Sequence, residues 1–99
     1  MGNEIKARKI ARECSSIFTA LGDPNRQDIL IMLEVKGPLN VLQITENLKL
    51  ARPTVSHHLK ILSIAGLIKS QKKSREVYYH ADWEDAKQKL LNFMNLITS

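Results

Sequence analysis

Ninety-nine residues, 43% hydrophobic and 25% charged, describe one globular domain and exclude a disordered chain. No apolar run approaches the roughly 20 residues of a membrane span, and the charged start from Met1 to Lys9 lacks a signal-peptide core, so a cytoplasmic protein is expected. One cysteine, Cys14, excludes an intramolecular disulfide framework and a cysteine-cluster zinc site, and of the net charge of +5 the whole excess lies between Arg52 and His80, where six bases face one acid.

The spacing of Ile10, Cys14, Ile17, Phe18 and Leu21 predicts a first helix from Asn3 to Leu21, ended by Gly22. Asp23-Pro24 then pairs an N-cap acceptor with proline at the first helical position. The second helix runs to about Val35, with Ile29, Leu30 and Leu33 inward, and Gly37-Pro38 breaks it. Leu39 is expected in a short strand pairing. Asn40 and Gln43 form a capping box for a third helix whose apolar side is Val41, Ile44 and Leu48. Lys49-Leu50-Ala51 is a tight turn without the glycine often found there. Pro53 marks the first turn of a fourth helix, which ends at Ala65 with Gly66 as its C′ residue. Two helices of this length around a short turn make a helix-turn-helix, residues 40–66.

Leu67 to Gln71 and Glu76 to His80 read as strands, joined by a hairpin tip of Lys72, Lys73, Ser74 and Arg75. This hairpin, residues 67–80, is a wing. Asp82 caps a last helix from Trp83 to about Ile97, with one apolar stripe of Trp83, Ala86 or Lys87, Leu90, Phe93 or Met94, and Ile97. The expected fold is mainly α with a small β-wing: a winged helix-turn-helix of about five helices and a two-stranded hairpin, in a single domain of residues 1–99.

The fourth helix carries the chemistry. At about 100° per residue, Val55, Leu59, Leu62 and Ala65 share one side. Pro53, Ser56, His57 and Lys60 share the opposite side, with Thr54 beside them. Short hydroxyls, an imidazole and a lysine can meet phosphates or base edges, and Arg52 in the first turn suits guanine or phosphate. Taken alone, Thr54 and Ser56 are also routine helix-start residues, and the lysines of the wing are also an ordinary solvated loop. The focused charge and the helix-turn-helix favour DNA. His58 falls at the edge of the core face and reads as a structural histidine. Ile64 falls on the polar side, where packing near the wing is its only apparent use.

The stretches LGDPNRQDILIML, ITENLKLARPTVSHHLKILSIAGLI and REVYYH together resemble the ArsR/SmtB family of winged-helix transcriptional repressors, over about Phe18 to His80. The most specific pieces are Leu21-Gly22-Asp23-Pro24-x-Arg26, and Thr54 to Lys60 followed by Leu62. Ala65-Gly66-Leu67 and Tyr78-Tyr79 add to them. The resemblance implies a homodimer, built through the first and last helices (residues 1–21 and 82–97), that binds palindromic operator DNA and represses transcription. DNA contacts are then expected from Arg52, Pro53, Thr54, Ser56, His57 and Lys60 on the recognition helix, and from Lys72, Lys73 and Arg75 on the wing.

The sequence also departs from the family. Where many members carry a metal-sensing Leu-Cys-Val-Cys stretch, Leu39, Asn40, Val41 and Leu42 stand here. Asp82 matches the first ligand of the zinc site between the last helices, but Glu84, Asn95 and Thr98 occupy the positions that follow. Adjacent His57 and His58 point about 100° apart and chelate poorly. At the wing tip Ser74 stands where glycine is common. No metal or cofactor is therefore expected. The alternatives are a metal or thiol sensor using Cys14, His80 or Asp82, and a winged-helix protein-interaction module, which an acidic recognition helix would favour. Cys14 on an apolar stripe reads first as a small packing residue. Ser56 beside His57 is adjacency and not a catalytic dyad, so no enzyme is expected. The partners expected are double-stranded DNA and a second copy of the chain, with no membrane.

Overall fold

The computed structural model describes residues 2–98, so Met1 and Ser99, the two ends of the expected domain, lie outside the described residues. Among the described residues there are six helical segments and a three-stranded antiparallel sheet. The first expected helix is two: α1 (Gly2–Glu13) and α2 (Ser15–Leu21). They break at Cys14, whose N–H bonds Ala11 O at 3.1 Å, a three-residue step that tightens the turn before Phe18 N–H resumes on Cys14 O. The continuous helix expected there is corrected. Nothing in the local periodicity marks the break, because the apolar spacing continues through it.

The start of α3 (Pro24–Lys36) follows its local signals. Asp23 Oδ1 accepts Asn25 N–H at 2.8 Å and Arg26 N–H at 3.2 Å, and Pro24 fills the first helical position. Gly37, at φ 83°, turns the chain out. Leu39 and Asn40 form β1, and Asn40 then caps α4 (Val41–Leu48). Its Oδ1 accepts Gln43 N–H and its own N–H donates to Gln43 Oε1, both at 2.9 Å. Lys49 ends α4 in the left-handed region at φ 57°, the conformation glycine would supply without strain. The recognition helix α5 (Arg52–Ile64) follows, with Ala65 as its last cap and Gly66 at φ 73°.

Strands β2 (Ile68–Lys73) and β3 (Glu76–Ala81) run longer than expected. Lys73 still pairs with Glu76, so the turn is only Ser74-Arg75 and the four-residue cationic tip is corrected. Ser74 takes φ 60° where glycine would be usual. β1 joins the far edge of β3, with Leu39 opposite Tyr79 and Asn40 opposite Tyr78, and gives the order β1-β3-β2. The wing is thereby the free end of a sheet rooted between α3 and α4. Helix α6 (Glu84–Thr98) starts one residue later than expected. Asp82 Oδ1 accepts Glu84 N–H at 3.2 Å, and the first helical backbone bond runs from Lys87 N–H to Trp83 O.

One core joins these elements. Ile17 and Ala20 of α2 meet Ile29, Leu30 and Leu33 of α3, Ile44 of α4, and Val55, Leu59 and Leu62 of α5. Leu67 in the connection after α5, Ile68 of β2 and Ala86 of α6 close it. The apolar stripe of α6 divides in two. Ala86 is buried and Leu90 packs on the core, while Phe93 meets Phe18 edge-on with ring centroids 5.4 Å apart. Trp83, Leu91, Met94 and Ile97 remain open to solvent, as does Ile5 on α1. Among the described residues, no helix is long and apolar enough to cross a membrane.

Candidate nucleic-acid interface

Burial of Val55, Leu59 and Leu62 fixes which way α5 faces. Arg52, Pro53, Thr54, Ser56, His57 and Lys60 are all exposed on its remaining surface, as the wheel predicts. Among the described residues, none of these side chains makes a hydrogen bond or ion pair within the chain. Ala51, the residue before the helix, gives no side-chain cap, and Pro53 has no N–H to satisfy. The N–H groups of Arg52 and Thr54 are thus left by any capping side chain, at the positive end of the helix dipole. That arrangement suits a phosphate.

The wing cations do not share one face of the hairpin. Successive residues of a strand point to opposite faces. Lys72 sits opposite Val77, on the sheet face that carries Ile68 and Tyr79 towards the helices. Lys73 sits opposite Glu76 on the other face, and Glu76 Oε2 also accepts Asn40 Nδ2 at 3.4 Å. Arg75 occupies the turn between them. Lys69, also on the outer face, lies 3.9 Å from Asp85 Oδ2. The positive charge of the wing is therefore least compensated at Lys72 and Arg75.

His58 is buried, as its place on the wheel predicts, and only 7% exposed. Its Nδ1 lies 3.2 Å from Arg26 Nη1. Arg26 also donates from Nε to Ala20 O and from Nη2 to Thr19 O, each at 2.9 Å. Sequence reasoning gave Arg26 no role beyond the motif that contains it, because its partners are the last carbonyls of α2 and a ring on α5. Ile64, 69% exposed, borders a shallow hollow with Ser16, Thr19 and Ile61. It therefore faces α2, and the expectation that it packs near the wing is corrected.

The candidate sensor residues are placed otherwise. Cys14 is fully buried, and its thiol donates to Lys89 O at 3.3 Å. Burial pushes this thiol up from its ordinary range and Glu13 adds to the effect, against a smaller opposing effect of Lys89. That is the setting of a packing thiol, not of a reactive one. Asp82 is engaged by Glu84 N–H, and Asn40 by the capping box. No group of three or more His, Cys, Asp or Glu side chains among the described residues is placed to hold a metal ion.

The family described as "Bacterial regulatory protein, arsR family" matches residues 23–70, from the cap of α3 into β2. An HTH-type transcriptional regulator of Methanocaldococcus jannaschii, MJ1325, is 41% identical over 68 residues, covering 69% of this chain and 76% of the relative. This chain belongs to the ArsR family. The transcriptional repressor SdpR of Bacillus subtilis is 33% identical over 84 residues, covering 82% of this chain and 92% of SdpR. The structure also superposes on an ArsR-like transcriptional regulator from Rhodococcus sp. RHA1 with a TM-score of 0.80 at 26% identity, over 88% of this chain and 79% of the other. The winged helix-turn-helix is thus the fold of an ArsR-family transcriptional regulator. Such regulators bind DNA and are not enzymes.

Proposed function

We propose that this ArsR-family regulator is a cytoplasmic repressor that binds a palindromic operator as a homodimer. Its 1–99 chain works as one domain, with residues 40–66 reading DNA and residues 67–80 as the wing. Residues 1–21 and 82–97 carry the dimer contact. Each recognition helix lies in a major groove, and the two half-sites are about one helical turn apart. Ser56 and His57 reach base edges. Arg52, Thr54 and Lys60 hold the backbone, Pro53 shapes the helix start, and Lys72, Lys73 and Arg75 extend the contact from the wing.

The observation that carries this reading is the outer face of α5. Its polar and cationic side chains are exposed and make no hydrogen bond or ion pair among the described residues, while its inner face is sealed in the core. For the dimer, Ile5 of α1 and Trp83, Leu91, Met94 and Ile97 of α6 are apolar side chains exposed on two helices that pack against each other. A second copy would bury these side chains. The role of repressor follows the printed role of SdpR.

Selection of bound duplexes from a random pool, at near-physiological salt, tests the reading. An enriched palindrome is expected, and Ser56→Ala or His57→Ala should relax the preference at defined positions. Retention of DNA without enrichment would refute sequence-specific recognition and leave electrostatic binding alone.

A further inference from the structure

The buried side of the recognition helix holds a polar contact that DNA binding does not itself require. A guanidinium has only donors. Facing Arg26 Nη1 at 3.2 Å, His58 Nδ1 is therefore the acceptor, and the ring carries its proton on Nε2. The same guanidinium holds Thr19 O and Ala20 O, carbonyls at the end of α2 that lack full helical partners. Asp23 Oδ2 stands 4.0 Å from Nη1, while Asp23 Oδ1 caps α3. One planar, nearly buried side chain thus ties the end of α2 and the start of α3 to the middle of α5.

His58 directly follows His57 and stands two residues from both Ser56 and Lys60. Rotating α5 by a small angle about its axis would move these outward side chains sideways across the base edges. Packing of Val55, Leu59 and Leu62 holds the helix by shape, but the hydrophobic drive behind it has no direction of its own. A hydrogen bond adds a directional restraint, because distance and angle are both limited.

We propose that Arg26 is a positioning residue for DNA recognition, which fixes the rotation of α5 by donating to His58 and so sets discrimination between operator and other DNA. The proposal rests on the sequence-specific reading above. Electrostatic attachment through Lys60, Lys72 and Arg75 tolerates a small rotation, whereas base contacts do not. The clamp therefore acts on the ratio of the two affinities and not on attachment as such.

Two substitutions separate this role from packing. His58→Leu keeps the volume and removes the ring acceptor of Arg26 Nη1, leaving only the Asp23 carboxylate 4.0 Å away. His58→Asn loses volume but keeps an acceptor near the place of Nδ1. The affinities of the full chain for the selected operator and for a scrambled duplex of equal length are measured at one salt concentration. His58→Leu should lower the operator-to-scrambled ratio roughly tenfold, the scale set by one lost hydrogen bond with its partner left buried. His58→Asn should keep most of the ratio, and scrambled-duplex affinity should stay level in all three proteins. A packing role predicts the reverse order, so a wild-type ratio in His58→Leu, or a larger loss in His58→Asn, overturns the proposal. Absence of discrimination in the wild type would instead overturn the sequence-specific reading, and this inference with it. Nitrogen NMR of the wild-type imidazole gives a readout independent of DNA and of variant folding. The Nε2–H tautomer is expected, and a proton on Nδ1 overturns the proposal.

Discussion

Replacing Lys72 by alanine should reduce the salt dependence of DNA binding more than replacing Lys73, although the two are neighbours in sequence. The difference comes from the strand register, which puts Lys72 opposite Val77 and Lys73 opposite Glu76. Lys72 presents an uncompensated charge on the sheet face turned towards the helices. Lys73 shares its face with a carboxylate. Each phosphate contact contributes about 0.9 to the slope of log affinity against log salt on B-DNA. A dimer loses two contacts when Lys72 is removed, so its slope should fall by about 1.8. Between about 50 and 200 mM salt, wild-type and Lys72→Ala affinities should then converge roughly twelvefold. The Lys73→Ala slope should fall by well under half that amount, and Arg75→Ala, free of the strand alternation, should resemble Lys72→Ala. Fluorescence anisotropy titrations of one operator duplex over a salt series measure all three slopes. Equal changes for Lys72 and Lys73, or a larger one for Lys73, would refute the assignment of wing charge by sheet face.

Three further outcomes follow from local geometry. Lys49→Gly should stabilise the protein by about 0.5–1 kcal/mol, the left-handed strain relieved less the extra freedom of glycine when unfolded, and urea denaturation checks it. At Asp23, burial opposes ionisation, but the N–H groups of Arg26 and Asn25 and the charge of Arg26 outweigh it and hold the carboxyl below its ordinary range. The stability this carboxylate contributes is complete above the unfolded value near pH 4 and is lost as pH falls through the lower folded value. Asp23→Ala should therefore lower the urea midpoint at neutral pH and converge with wild type in acid. A constant gap across that range would contradict the linkage. Cys14, buried and with its thiol pushed up, should resist alkylation in the native protein and react readily in denaturant. Rapid native labelling, followed by mass spectrometry, would return it to the list of sensor residues.

Much of the site was legible in the sequence because its signals are local. Asp23-Pro24, the Asn40 and Gln43 pair, and Gly66 each act within about four residues, so they mark helix ends whatever surrounds them. The period of an α-helix alone separates Val55, Leu59 and Leu62 from Ser56, His57 and Lys60, and the structure buries the first set and exposes the second. His58 fell on the boundary for the same reason. The two-residue wing turn was harder to read, because Ser74 takes a left-handed conformation without the glycine that would advertise it.

What only the tertiary structure decided depends on partners distant in the chain. The break at Cys14 interrupts no pattern of apolar spacing, and its thiol is held by a carbonyl of α6. Which of Phe93 and Met94 faces inward is settled by Phe18, and the faces of Lys72 and Lys73 by a register that a one-residue slip would invert. Arg26 acquires its partners only when α2, α3 and α5 pack together. Helix ends and helix faces are properties of a few neighbouring residues, and so the sequence by itself determined them. Strand register, side-chain clamps and the choice between two apolar residues are set by contacts across the fold, which exist only once the core has closed.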